Sequence, residues 1–354
     1  VKRTKSRRVL LGGSNHENTT FINSLYRIIS SRQDTMSDGE MAELRIHINR
    51  NKGLINRPLT EHDVGPNSKD VGKTLLFVAC QYGNTVIVSL LLELRDVDVN
   101  MEESIFGTPL IIACSKGHFR VVEMLLKGFV RRQAGFPDVN MVTSNGYTPL
   151  NIACARRDFP LVELLVENRA DVNKADNGGA VPLYIACSGG HLEVAQLLMD
   201  NNADVDNAPE GWSTPLQLAC DQGNMALVRL LVEKGADVNK ESNVEDFPLY
   251  IACHNNNLEI AQLLVEKGAD VNKAINDDGF PLYIACHNNN LELVRLLLDS
   301  RADLEMALED GHTSLHMACY NGNLDVVRLL LDRGADVNKA NNSDETPLSI
   351  ARHN

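Results

Sequence analysis

Eight cysteines are the residues of this chain with the greatest capacity for chemistry. Thiols in such number could form disulfides, bind zinc or act as nucleophiles. Each follows an alanine, and the intervals between them are 34, 40 and then five times 33 residues. A fixed period of this size indicates a stack of repeated structural units. The positions are Cys80, Cys114, Cys154, Cys187, Cys220, Cys253, Cys286 and Cys319.

Repeat geometry argues against a disulfide or metal role for these cysteines. Packed helices lie ~8–10 Å apart, so equivalent residues of neighbouring repeats exceed the ~7 Å Cα limit for a disulfide. Cys253-His254 and Cys286-His287 lack the paired ligand spacing of structural zinc sites. We therefore expect reduced, buried cysteines and no metal or cofactor.

The histidines offer no catalytic arrangement. His118 and His191 fall at a turn, and His254 and His287 are copies within a repeated segment. None of the ten histidines lies in a motif that also supplies a nucleophile and an orienting acid. The sequence therefore predicts a protein that is not an enzyme.

Two helices and a loop must position each cysteine. In Thr108–Cys114 the threonine can cap a helix and the proline suits its first turn. A second run, such as Leu258–Val265, has its apolar residues on one helical face and ends near a glycine, such as Gly235 in another repeat. Arg169 and Arg301 stand where that glycine is expected, so we expect mild backbone strain there.

Thr-Pro-Leu-x-x-Ala-Cys, followed by Gly-Ala-Asp-Val-Asn at a 33-residue period, resembles the ankyrin repeat. The resemblance covers residues 70–354 and implies an all-α fold. The expected architecture is an α-solenoid of about nine ankyrin repeats, each a helix-turn-helix with a β-hairpin-like loop. The ninth repeat stops after its first helix. The repeats are anchored at Leu75, Pro109, Pro149, Pro182, Pro215, Pro248, Pro281, Ser314 and Pro347.

The chain departs from the family pattern at the start of several first helices. Only Thr313 with His316 keeps the threonine-to-histidine pairing that helps lock this helix in the family. Val181, Phe247 and Phe280 replace the threonine in three repeats. We expect these three repeats to exchange the polar lock for aliphatic or aromatic packing.

The first 69 residues differ from the array and divide into two segments. Residues 1–35 form a basic lead with a degenerate phosphate-loop-like segment, Gly12–Leu25, in which Glu17 and Asn18 replace the glycine and lysine that phosphate binding needs. Residues 36–69 form a degenerate half repeat, or cap, and a linker. Within them, Met41–Ile48 is predicted to be a helix, and Gly53–Asn56 resembles the Gly-Ala-Asp-Val-Asn exit.

The charge and hydropathy of the chain favour a soluble array. The formal net charge is −13, with +4 in residues 1–72 and −17 in the remainder. An acidic array disfavours nucleic acid as a ligand. No stretch approaches 18 consecutive apolar residues, and the start has no signal-peptide pattern. We expect a monomeric, cytoplasmic protein without membrane insertion; a nuclear location is the alternative.

The resemblance implies a non-catalytic scaffold that binds a partner protein through loop tips and the concave face of the solenoid. One alternative is the targeting or regulatory ankyrin region of a longer enzyme or membrane protein. A second is nucleotide binding by Gly12–Leu25. Reading the parent open reading frame past both ends of this sequence separates the first alternative from the scaffold.

Candidate contact residues lie in three places. Trp212 is the lone tryptophan and falls in a loop, where it either meets a partner or folds down between two loops. Tyr147 and His312 occupy similar loop positions. The ends of the first helices supply Arg156, Arg157, His254, Asn255, His287, Asn288 and Tyr320. A seven-residue insertion between Lys127 and Pro137 supplies Phe129, Arg131, Arg132 and Phe136.

Overall fold

The structure, a computed structural model, describes residues 17–30, 36–66, 68–127, 135–241, 246–275 and 279–353, with only the backbone of residues 17–20. The chain divides into two compact units, Val1–Gly178 and Gly179–Asn354. Within the described ranges the regular elements are helices and no strand occurs. The predicted all-α solenoid of ankyrin-type helix pairs is confirmed.

In its described residues, the N-terminal unit contains three α-helices and a 3-10 helix before three helix pairs. The first helices of the pairs stack on one another, α4 on α6 and α6 on α8, and each packs on its own second helix. The elements are α1 (Glu17–Ser30), α2 (Asp38–Arg50), a 3-10 helix (Lys52–Leu54), α3 (Glu61–Val64), α4 (Leu75–Tyr82), α5 (Thr85–Leu92), α6 (Pro109–Lys116), α7 (Phe119–Lys127), α8 (Pro149–Ala155) and α9 (Phe159–Glu167).

The C-terminal unit contains five helix pairs and a final single helix. Its first helices stack in order from α10 to α20, and its second helices stack in order from α11 to α19. The elements are α10 (Pro182–Ser188), α11 (Leu192–Asp200), α12 (Pro215–Asp221), α13 (Met225–Glu233), α14 (Pro248–His254), α15 (Leu258–Glu266), α16 (Pro281–His287), α17 (Leu291–Asp299), α18 (Ser314–Tyr320), α19 (Leu324–Asp332) and α20 (Pro347–His353).

The first helices begin at the predicted residues for the predicted reasons. Thr108 precedes Pro109, and its hydroxyl oxygen accepts a hydrogen bond from the Ile111 amide. Val181, Phe247 and Phe280 make no such side-chain cap and are buried instead. The expected exchange of a polar lock for apolar packing is confirmed at these three positions.

Left-handed residues separate the elements, and several of them are not glycine. Arg169 and Arg301 adopt φ of 66° and 67° where Gly235 has 92°, which confirms the expected strain. Arg157 and Asn256 adopt φ of 57° just after their first helices. A non-glycine residue in this region carries a conformational cost of about 1 kcal/mol or more.

The loops between repeats are held in register by a repeated hydrogen bond. The amide of an aspartate donates to a side-chain oxygen of the asparagine in the preceding loop, while the aspartate carboxylate accepts from the amide two residues later. The described pairs with asparagine acceptors are Asp98 to Asn56 (3.0 Å), Asp138 to Asn100 (2.8 Å), Asp171 to Asn140 (2.8 Å), Asp270 to Asn239 (2.8 Å) and Asp303 to Asn272 (2.8 Å).

The hairpin character of the loops is slight in the described part of the chain. It consists of isolated bridges between Glu103 and Gly107, Ile275 and Gly279, and Ala307 and Thr313. The loops are therefore shaped mainly by side-chain hydrogen bonds to the backbone rather than by strand pairing.

The segment before the array packs on the first helix pair. Ile22, Leu25 and Ile29 of α1 are buried, and α1 contacts α3 and α4. The helix predicted over Met41–Ile48 lies within α2, which contacts α5. Asn56 belongs to the loop hydrogen-bond series, which supports the division that treats residues 36–69 as a degenerate half repeat; that division stays a prediction.

Candidate partner-binding surface

The cysteines lie inside the helix stacks rather than at a surface. All eight are free and buried. Burial raises the pKa of the Cys187 and Cys253 thiols to about 12, so the reactive thiolate is scarce at neutral pH. Among the residues that the structure describes, no group of three or more His, Cys, Asp or Glu side chains is arranged to hold a metal ion.

A buried histidine joins the eighth first helix to the loop that precedes the ninth. The Thr313 amide donates to His316 Nδ1 (3.1 Å), the Thr313 hydroxyl lies 2.8 Å from the same nitrogen, and Nε2 donates to the Glu345 carbonyl (3.2 Å). Nδ1 thus accepts and Nε2 donates, so a ring with a single proton satisfies both contacts. Burial lowers the pKa of His316, and the nearby His312 lowers it further.

In the fifth repeat, Gln217 makes the hydrogen bonds that His316 makes in the eighth. The sequence analysis did not predict this role for Gln217. Gln217 Oε1 accepts from the Thr214 amide (2.6 Å), and Gln217 Nε2 donates to the carbonyls of Lys240 (3.3 Å) and Asp246. Gln217 therefore supplies a second chemical form of the Thr-to-His lock. The sequence signal for this role was a threonine at the cap position, Thr214, followed three residues later by a glutamine.

Three of the seven predicted contact residues at the ends of the first helices form hydrogen bonds between repeats. Asn288 Nδ2 donates to the carbonyls of Cys253 (3.2 Å) and His254 (3.1 Å). Asn255 Nδ2 lies 3.3 Å from the Asp221 carbonyl oxygen, and Arg156 Nη1 donates to the Ser115 carbonyl (2.9 Å). These side chains therefore donate hydrogen bonds to carbonyl groups at the C-terminal end of the preceding first helix, where the carbonyls lack partners within the helix.

Four other predicted residues at these ends are exposed. His254 and His287 have the same local geometry, each with Nδ1 3.3 Å from the amide oxygen of the following asparagine. Arg157 is exposed in its left-handed conformation. Tyr320 is exposed beside a cavity of about 340 Å³ that Leu324 and Val327 also line.

The predicted loop residues differ in how far their side chains are exposed to solvent. Trp212 is 59% exposed, so it does not fold down between two loops. Its amide donates to the Pro209 carbonyl (3.1 Å) across a turn in which Gly211 has a φ of 80°. Tyr147 is also exposed. His312 is half-buried, with Nδ1 2.9 Å from Asp310 and Nε2 accepting from Asn341 (3.1 Å).

The predicted residues of the insertion are only partly described. Phe129, Arg131 and Arg132 lie outside the described residues. Phe136 is described and is 68% exposed. Two alternatives were predicted for the insertion, docking a partner or packing down on the array, and both stay predictions.

Sequence reasoning missed a second exposed apolar loop tip. Ile105 is 61% exposed and Phe106 is 47% exposed. Their amides both donate to the Glu103 carboxylate, at 3.3 and 3.0 Å, so the carboxylate holds the backbone of the tip while both side chains stay partly exposed. The Ser144 hydroxyl donates to the Ile105 carbonyl (3.4 Å) and ties this tip to the loop that carries Tyr147.

A buried polar cluster lies next to this loop tip and was also missed. Asp70 Oδ1 accepts from Lys73 Nζ (3.1 Å) and Gln81 Nε2 (3.0 Å), while Oδ2 accepts from the hydroxyls of Tyr26 (3.0 Å) and Tyr82 (3.2 Å). Burial raises the pKa of Asp70, but the bonds from Gln81, Lys73 and Tyr26 outweigh it and leave the pKa below its usual value. Burial, with the Asp70 charge, raises the pKa of Tyr82 to about 12.

Comparison with protein families decides the classification. The family model described as ankyrin repeats (3 copies) matches residues 46–134, 128–209, 206–275 and 273–341. The chain belongs to the ankyrin-repeat family. Ankyrin repeats are generally protein–protein interaction modules, and their fold is typically non-catalytic.

Solved ankyrin structures show the same architecture over part of the chain. The ankyrin repeat domain of Bcl-3, a unique member of the IkappaB protein family, is 30% identical with a TM-score of 0.53, covering 59% of this chain and 96% of that one. The human ASB11 ankyrin repeat domain is 29% identical with a TM-score of 0.51, covering 58% and 92%. An ankyrin repeat domain from Acinetobacter baumannii is 26% identical with a TM-score of 0.51, covering 53% and 98%.

A search of curated proteins finds no match to the chain. In the ranges that the structure describes, every helix is too short or too polar to cross a membrane.

Proposed function

We propose that this chain is a non-catalytic scaffold that binds a partner protein through its loop tips and the inner surface of the array. The observation that carries the proposal is the exposure of large apolar side chains at loop tips whose backbones are held in register by hydrogen bonds. Trp212 is the leading contact, and tryptophan is enriched among interface hot spots. Ile105, Phe106 and Tyr147 support the same role in the N-terminal unit.

The charge distribution supports a protein partner rather than nucleic acid. Residues 179–354 hold 11 Lys and Arg against 27 Asp and Glu, whereas residues 1–178 hold 23 against 20. An acidic surface repels a phosphate backbone. The eight free, buried cysteines support a cytoplasmic or nuclear location for the proposed scaffold, because reducing compartments keep thiols free.

Partner capture followed by a quantitative binding measurement tests the proposal. The full chain is immobilised, a partner is captured from cell extract and then purified, and its affinity is measured by calorimetry. Trp212→Ala is expected to weaken binding by about 30-fold, which corresponds to a loss of about 2 kcal/mol. The melting temperature should change little, because the side chain is mostly exposed.

Ile46→Ala is the matched control, because Ile46 is an exposed apolar residue of α2 and not of a loop tip. Equal affinities for the wild type and for Trp212→Ala would remove Trp212 from the interface. If substitution of Phe106 and Tyr147 also left the affinity unchanged, the loop-tip proposal would be wrong.

A further inference from the structure

A cavity of about 410 Å³ opens on the N-terminal unit beside the first two repeats. Lysines line it on several sides, namely Lys69, Lys73 and Lys116, together with His118. Tyr82 and Phe106 supply aromatic walls. Its volume falls in the range of ligand-binding pockets, about 300–1,000 Å³.

The charges at this cavity do not cancel. Lys73 is buried and its charge is balanced by Asp70, whose two oxygens are already occupied by four hydrogen-bond donors. Lys69 and Lys116 are exposed and form no ion pair with any carboxylate of the described residues. The described lining contains no acidic residue. Two positive charges therefore face the open space of the cavity.

The aromatic walls strengthen the attraction that these charges exert. Lys73 Nζ lies 5.5 Å from the ring centroid of Phe106, and Lys69 Nζ lies 5.9 Å from that of Tyr82. A group that enters between the two rings exchanges water for apolar surface, which lowers the local dielectric constant around the ammonium groups. Phe106 also belongs, with Ile105, to the exposed loop tip.

We propose that this cavity binds an aspartate or glutamate side chain of an extended partner segment, while an apolar neighbour in that segment packs on Phe106. The inference rests on the proposed partner-binding function and names the chemistry of the partner. A carboxylate is the complementary group, because the described lining presents exposed ammonium groups and contains no acidic residue.

A random twelve-residue peptide library displayed on phage, selected against the full chain, tests this inference. The selected peptides should be enriched in Asp and Glu beside an apolar residue. The affinity of one synthetic peptide is then measured by fluorescence anisotropy. The double variant Lys69→Gln, Lys116→Gln should weaken binding by about tenfold or more, and added salt should weaken the wild type more than the variant.

The matched control is the double variant Lys52→Gln, Lys127→Gln, which removes the same charge from exposed lysines of the same unit that lie outside the cavity lining. Its affinity should stay within about twofold of the wild type. Circular dichroism checks that both double variants fold. Replacement of the peptide's glutamate by glutamine should abolish the difference between the wild type and Lys69→Gln, Lys116→Gln.

Three outcomes would overturn the inference. One is a set of selected peptides without acidic enrichment, and another is unchanged affinity in Lys69→Gln, Lys116→Gln. The third concerns a peptide in which phosphoserine replaces the glutamate: if it bound more tightly than the glutamate peptide, this would be a phosphate site. Each of these leaves the proposed scaffold standing, because that proposal is tested separately, with a captured partner and substitutions of Trp212, Phe106 and Tyr147.

Discussion

Lys73 Nζ lies 3.1 Å from Asp70 Oδ1, and both side chains are buried. A buried ion pair persists only when hydrogen bonds satisfy the remaining polar atoms. Gln81 and the two tyrosine hydroxyls of Tyr26 and Tyr82 do so here. The pair therefore joins α1 to the first repeat, and Lys73 of this pair also lines the cavity of about 410 Å³.

Lys73→Met should destabilise the N-terminal unit by about 3 kcal/mol or more, because it leaves the Asp70 carboxylate buried without its cation. The change is measured by urea denaturation followed by circular dichroism. Lys52→Met is the control, since Lys52 and Asp96 form an exposed pair, and its effect should stay below about 0.5 kcal/mol. Similar losses in both variants would contradict the assignment of a stabilising role to the buried pair.

His316 should make stability depend on pH. Its folded pKa is lowered, mainly by burial, so the unfolded state binds the proton more readily. The stabilisation from neutral His316 is therefore complete above the unfolded pKa of about 6.5 and declines as the pH falls below it. His316→Gln should retain most of the lock, as Gln217 does beside Thr214.

The free energy of unfolding of both proteins is measured between pH 8 and pH 5. The wild type should lose more stability than His316→Gln over this interval. Parallel curves would show that the folded pKa of His316 is not lowered.

The buried cysteines should be unreactive in the folded protein. Burial raises the pKa of the Cys187 and Cys253 thiols to about 12, and the other cysteines are shielded in the same way. Ellman's reagent at pH 8 should modify less than about one thiol per chain in an hour. After unfolding in guanidinium chloride, all eight cysteines should react. Rapid reaction of several thiols in the native protein would contradict their burial.

Asn288→Ala should lower stability by about 1 kcal/mol, because the side chain donates two hydrogen bonds to the preceding repeat. His287→Ala, at the exposed neighbouring residue, should change it by less than about 0.5 kcal/mol. Thermal and urea midpoints of the two variants provide the comparison. A reversed order would show that Asn288 is a surface residue rather than a link between repeats.

The repeat architecture was predictable because its signals are local. Capping threonines, prolines at the first turn and glycines after the second helix act within a few residues, so they recur with the period of the chain. The starts of α6, α8 and α10 coincide with the predicted prolines. The roles of Asn255 and Asn288 were harder to predict, because their acceptors lie 34 or 35 residues earlier, on a neighbouring helix.

The amino-acid order was enough to predict the family fold, the buried thiols and the loop position of Trp212, whereas only the structure shows that the Trp212 side chain is exposed. Packing of distant segments decided the lysine-lined cavity and the cluster at Asp70. Tyr26 and Asp70 are 44 residues apart, and their contact exists because the apolar face of α1 packs on α4. Such contacts leave no periodic trace in a sequence, since they depend on how one buried surface meets another rather than on the neighbours of each residue.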